Sequence, residues 1–257
     1  MSAPTILGFS AAVGNEYNTL MALAAAVSFL LILDFGWRLL NGRTIAPTGW
    51  VAAFAALGAL MAFLGAVMTV TWPLKQVAPN CCQQDNIVFG EPVLAYGVML
   101  VTASYLLWRT GKSWVVHQSE TGGGVPTESG AITDESFLAR LALVLQPLSW
   151  FVFASGLALI ALAFAGVRFK LFAAPASEPI SGAVGNHPYI EAIFISILYA
   201  LMGIGAVLFP FFIRTMNRTV AKMIGVAWLV PGVVWLFFAA MNYYTHVGSL
   251  VKHGGRF

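Results

Sequence analysis

Six stretches of this chain contain no charged side chain: Tyr17–Leu33, Thr44–Leu74, Pro92–Trp108, Leu141–Val167, Ala192–Ile213 and Met223–Val251. Each reaches, alone or with its flanks, the roughly 20 apolar residues that a helix needs to cross a hydrocarbon layer of about 30 Å. Inside lipid every backbone N–H and C=O must be satisfied within the protein, which leaves helices and closed barrels. A barrel strand would be an alternating segment of about ten residues, and the runs do not alternate. The sequence therefore predicts an all-α integral membrane protein, a single transmembrane domain over residues 1–257 built as a bundle of about six transmembrane helices. The expected spans are about 17–37, 47–72, 91–109, 139–167, 190–213 and 222–246.

Composition agrees with that solvent. Charged residues are 9% of the chain and hydrophobic ones 59%, with a mean hydropathy of +0.83, whereas a soluble domain carries about 25% charge. The net charge of +3 and pI near 9.0 come from bases at the ends of apolar runs. They form no stripe with interleaved aromatics, so nucleic acid is excluded as a partner. The bilayer is the expected partner.

Lys and Arg also set an expected direction. Arg38, Arg43, Arg109, Lys112, Arg140, Arg214, Arg218 and Lys222 fall on one side of a six-span arrangement. Lys75, Arg168, Lys170, Lys252 and Arg256 fall on the other. Eight against five places both termini outside the cytoplasm of a multi-pass cell-membrane protein. Met1–Asn15 has no basic residue and so lacks the charged start of a secretory signal, and the first span reads as a retained helix. Residues 110–136, with Gly122–Gly124 and Pro126, read as a flexible cytoplasmic loop. No Lys-Ser or Lys-Thr follows the glycines, so they are not a phosphate loop.

An offset of 100 residues aligns Pro47 and Trp50 with Pro147 and Trp150, Pro79 with Pro179, Asn86 with Asn186, and Glu91 with Glu191. Two parallel helix pairs, spans two–three and four–five, are the internal repeat this would imply.

The residues able to carry chemistry gather at the side opposite the basic loops. Glu91, His187, Glu191 and His246 share one expected depth on three helices, and imidazole with carboxylate suits a transition metal. His187 and Glu191 lie four apart and share a face if the helix already includes His187; Asp85 or Tyr243 would orient the ligands. The structural alternative is two helix starts: Pro92 and Pro188 as first-turn prolines, the glutamates favoured by the helix dipole, Asn186 as a cap. Cys81 and Cys82, the only cysteines, admit free thiols, a strained vicinal disulfide, or a metal or intermolecular role. Asp34 with Arg38 one turn later reads as a local ion pair, with a proton relay as the alternative. Gln146-Pro147 suggests a kink and a polar contact between helices.

Other chemistry is narrowed by what the chain lacks. No histidine lies deep in a span and no C-x-x-C-H occurs, so nothing marks a b-type or c-type haem. No Walker, GxSxG or HExxH sequence appears, and nothing marks a site for ATP or NAD.

The segment Asn86-Ile87-Val88-Phe89-Gly90-Glu91-Pro92, followed by Leu94-Ala95-Tyr96-Gly97-Val98, resembles a prokaryotic family of small multi-spanning membrane proteins classed as a domain of unknown function. The resemblance implies no activity, cofactor or substrate. It singles out the Phe89–Pro92 junction. Three readings of function follow from the residues. A non-catalytic or accessory subunit of a larger membrane complex, or of a homo-oligomer, fits the 8 Trp and 19 Phe and the lack of a catalytic signature. A redox or metal module fits the four outer residues. A small-solute transporter fits the repeat and the prolines Pro147 and Pro231 inside spans.

The charge bias yields a direct test. A Ser129→Cys chain lacking Cys81 and Cys82 is expected to resist an impermeant thiol reagent in intact cells and to react after lysis. Labelling in intact cells would reverse the orientation.

Overall fold

Proline and left-handed caps mark where the helices begin and end. Pro47 opens one helix behind an extended Ala46, and that helix closes on Trp72, whose φ of 47° lets its N–H reach the Met68 carbonyl. Met216 closes another in the same way on Phe212. The very next residue, Asn217, caps the following helix by accepting from the N–H groups of Thr219 and Val220, so two long helices are joined by a two-residue turn.

The computed structural model describes residues 16–43, 45–73, 83–120, 135–173 and 186–254. They contain α1 (Glu16–Leu40), α2 (Pro47–Thr71), a π-helical turn (Asn86–Gly90) running directly into α3 (Glu91–Glu120), α4 (Glu135–Phe169), α5 (Pro188–Thr215) and α6 (Arg218–Gly254). Six helices are long and apolar enough to cross a membrane, and no strand occurs among the described residues. The all-α expectation is met. α3 continues to Glu120, into the stretch assigned from sequence to the flexible loop. Gly122–Gly124, Ser129, Cys81 and Cys82 lie outside the described residues.

Each helix packs on its neighbours in sequence, α1 on α2 through α5 on α6, and α6 returns to pack on α1. With an even number of alternating spans, that last contact is antiparallel like the others. The result is a closed cycle of helix contacts, crossed at one place by a contact of α1 with α4.

Two tight hairpins form most of its wall, α2–α3 and α4–α5. On α2 the buried residues are Phe54, Gly58, Met61, Gly65 and Met68, alternating in steps of four and three as a coiled-coil seam does. Facing them are Gly90 at the end of the π-helical turn and Gly97, Ser104 and Gly111 on α3, one small buried residue every seven. A side chain on Gly97 would stand 2.7 Å from the Gly58 carbonyl oxygen, and the Ser104 hydroxyl donates to the Val51 carbonyl at 2.8 Å. In α4–α5 the same device recurs: Ala142, Ser149, Gly156 and Ala163 against Ser196, Gly203 and Pro210, all buried. Gly156 and Gly203 each leave room for the other's backbone, with 2.7–2.8 Å to a hypothetical Cβ. Where lipid replaces water, close packing of small residues is a main source of helix association.

The 100-residue offset carries Glu91 onto Glu191, each in the first turn of its helix. It does not carry the seams. Pro47 starts α2 while Pro147 lies inside α4, and seam residue Gly97 maps onto Ile197, which is 53% exposed.

Asp34 and Arg38 form the expected ion pair, with the Arg38 Nε donating to both carboxylate oxygens at 2.9 and 3.0 Å. Beside Pro147 in α4 the polar link between helices runs through Ser149. Its hydroxyl donates to the Gln146 carbonyl and accepts from Arg214 at 3.1 Å.

The seams make an opposed pair of predictions. Gly97→Val should destabilise the protein in detergent by about 1–3 kcal/mol or more, as overpacking against backbone does. Gly225→Ala, with no atom within 4 Å of the added Cβ, should leave it unchanged or more stable. Melting followed by circular dichroism measures both; equal melting of the two variants would refute the seam.

Candidate functional site: an aromatic cavity through the helix ring

The ring is hollow. A cavity of about 1460 Å³ is lined from α1, α3, α4, α5 and α6, with Phe54 from α2. Its wall on α1 runs from Met21 to Asn41 and on α6 from Arg218 to Asn242. At 1.5 Å per residue these are about 30 and 36 Å, the depth of a bilayer core. The lining charges sit only at the two ends, Asp85, Glu91 and Glu191 at one, Arg218 and Lys222 at the other.

Between these ends the wall is aromatic, in two tiers. In the first, Phe209 of α5 stacks on Trp228 of α6 (centroids 5.9 Å apart), Trp228 meets Phe29 of α1 (5.7 Å), and Phe29 stacks on Tyr96 of α3 (4.9 Å). In the second, Phe238 of α6 meets Trp235, Trp235 meets Tyr199 of α5, and Tyr199 contacts Phe172 and Phe89. All nine rings line the cavity.

Local sequence explains how they are held. Gly205 leaves the space that the Trp228 indole occupies, and the indole N–H donates to the Met202 carbonyl at 3.1 Å. Gly166 does the same for Phe172, in a turn where Lys170 adopts a φ of 55° and the Leu171 N–H returns to the Gly166 carbonyl. Pro92 has no N–H, so the Val88 carbonyl one turn earlier loses its helical donor. The Tyr199 hydroxyl supplies the replacement at 2.9 Å. This bond crosses from α5 to the π-helical turn and closes the acidic end of the ring. The Tyr96 hydroxyl, beside Ser28, is buried and completes no hydrogen bond of good geometry.

The four residues singled out as metal ligands are distributed as follows. Glu91 is exposed and Glu191 half-buried, and both line the acidic end of the cavity. His187 is exposed and is the N-cap of α5, with φ −125° and ψ 66°. It precedes the helix, so the shared helical face that a four-residue spacing would give Glu191 does not apply to it, and the cap position expected for Asn186 belongs to His187. The His246 side chain lies outside the described residues. Among the described residues no group of three or more His, Cys, Asp or Glu side chains is placed to hold a metal ion. Of the suggested orienting residues, Asp85 lines the cavity and Tyr243 is exposed.

Residues 15–249 match the model of a family described as "Protein of unknown function (DUF981)". The chain belongs to this family. Membership covers α1 to α5 completely and α6 up to residue 249, so the helix bundle and its cavity fall inside the family region. No curated protein and no solved structure matches the chain.

Sequence reading looked to charged and metal-binding groups and passed over the aromatics. The signal available was the pairing of glycines with bulky rings, Gly205 with Trp228 and Gly166 with Phe172, but those partners lie on different turns or helices. Tyr199→Phe isolates the closing bond. It leaves the buried Val88 carbonyl without a donor and should cost about 1–3 kcal/mol. A melting temperature equal to that of the parent would show that the bond contributes nothing.

Proposed function

We propose that this protein binds an apolar or amphipathic molecule within the bilayer, in the cavity at the centre of the helix ring. The observation that carries the reading is the aromatic, uncharged wall over the depth of the membrane. A space of about 1460 Å³ that opens to its surroundings takes up what surrounds the protein, which in a membrane is water or lipid. Water is a poor occupant, because it needs two to four polar partners and the middle of the wall offers few.

The volume exceeds the roughly 300–1,000 Å³ of sites for small ligands, so a long-chain or multi-ring molecule suits it. An uncharged wall gives hydrophilic solutes and ions nothing to replace their hydration. This favours a binder or carrier of lipid-like molecules over a transporter of small polar solutes. A subunit serving only as packing for a larger complex would have no use for a hollow interior.

The test is extraction in mild detergent followed by mass spectrometry of co-purifying small molecules and chains. A lipid-like molecule at near-stoichiometric level is expected from the parent, and at several-fold lower level from an Ala103→Trp, Ala158→Trp double variant that fills the wall. Equal levels in both, with the variant folded, would remove the proposal. Stoichiometric partner chains with no bound small molecule would favour the subunit reading instead.

A further inference from the structure

The two ends of the cavity differ in sign, and this bears on the kind of molecule it holds. At one end α6 contributes Arg218 and Lys222, four residues apart and both on the cavity wall. They sit beside Asn41 at the end of α1. Arg218 donates to the Leu40 carbonyl at 3.2 Å, a neutral acceptor, and no ion pair to Arg218 occurs among the described residues. Of the side chains described at this end, Asp34 is the one acid, and Arg38 holds it through both oxygens. The free N–H groups of the α6 start are taken up by Asn217, so the attraction there comes from the two cations. The opposite end carries three acids in the wall, Asp85, Glu91 and Glu191.

On the reading that the cavity holds a lipid-like molecule, we infer that its occupant is a single-headed anionic amphiphile. Its phosphate or carboxylate lies against Arg218 and Lys222, and its apolar chain runs along the aromatic tiers toward the acidic end. Charge complementarity selects the head: two cations at the rim favour a phosphate or carboxylate over a zwitterion. The acids at the other end disfavour the reversed orientation and a second anionic head. The apolar wall selects the chain, because an anion without one would gain nothing from the interior. Both cations are exposed, so the head remains at the water interface and does not pay for burial of its charge.

The experiment uses the full chain, stripped of lipid in a neutral detergent. Three probes are compared: a phosphatidylglycerol, a phosphatidylcholine with identical chains, and inorganic phosphate. Binding is read by native mass spectrometry and by the change in intrinsic tryptophan fluorescence that is lost when Trp228 and Trp235 are replaced by Phe. Phosphatidylglycerol should bind about tenfold more tightly than phosphatidylcholine, and inorganic phosphate should leave the fluorescence unchanged. The preference should weaken with salt and vanish in an Arg218→Gln, Lys222→Gln variant that still binds both lipids. Arg218→Lys, which keeps the charge, should retain it, and Lys222→Gln alone should halve it or more while leaving the Arg218–Leu40 bond in place. Equal binding of the two lipids by the parent would overturn the anionic head while leaving the cavity reading intact. A preference that survives the double substitution would overturn the site. Failure of either lipid to bind, with no effect of the Ala103→Trp, Ala158→Trp pair, would instead remove the cavity reading on which this inference rests.

Discussion

Lipid tails are as apolar as leucine, so no hydrophobic force draws these helices together once they are in the membrane. What holds them is contact between backbones, and only small residues permit it. Gly90 of the π-helical turn with Gly97, Ser104 and Gly111 on α3, and Ser196, Gly203 and Pro210 on α5, recur every seven residues and are buried. The hairpins they form make up most of the wall of the bundle.

Aromatic contacts between helices bound the cavity. Here the rings meet one another across the space, Phe29 with Tyr96 and Tyr199 with Phe89, and each tier is anchored by a polar tip: Trp228 to the Met202 carbonyl and Tyr199 to the Val88 carbonyl. Aromatic side chains serve both purposes, with large apolar faces for an occupant and a hydrogen bond that fixes their orientation. Pro92 is part of the same mechanism, because the carbonyl it orphans is the one that Tyr199 secures. The Phe89–Pro92 junction is thus a structural lock at the acidic end, where Phe89 also belongs to the aromatic wall.

The charged residues at the two ends then act on a cavity whose middle is neutral. Each pair at the membrane surface is of small consequence taken alone, as exposed charges are. Placed at opposite ends of one apolar passage, they distinguish its ends. The cation–π contact of Arg214 over Trp150, at 4.7 Å, and that of Lys170 over Tyr189, at 4.4 Å, hold further bases against aromatic groups near either interface, as an interfacial belt does.

The fold class was legible in the sequence because the bilayer imposes it locally. An uncharged run of sufficient length must be a helix, whatever its neighbours are, and the ion pair of Asp34 with Arg38 is fixed by a four-residue spacing on one helix. His187 shows the limit of that reasoning. Its four-residue spacing to Glu191 meant little once the helix began at Pro188, because helix phase applies only inside the helix. The cavity lay beyond sequence reading for a stronger reason. Its wall is assembled from residues as far apart as Phe29 and Trp228, and nothing in either segment states that α6 returns to α1. Composition and periodicity determine that these segments span the membrane; only the closing of the ring determines which of their side chains face one another, since that depends on helix rotation set by seams on the other side.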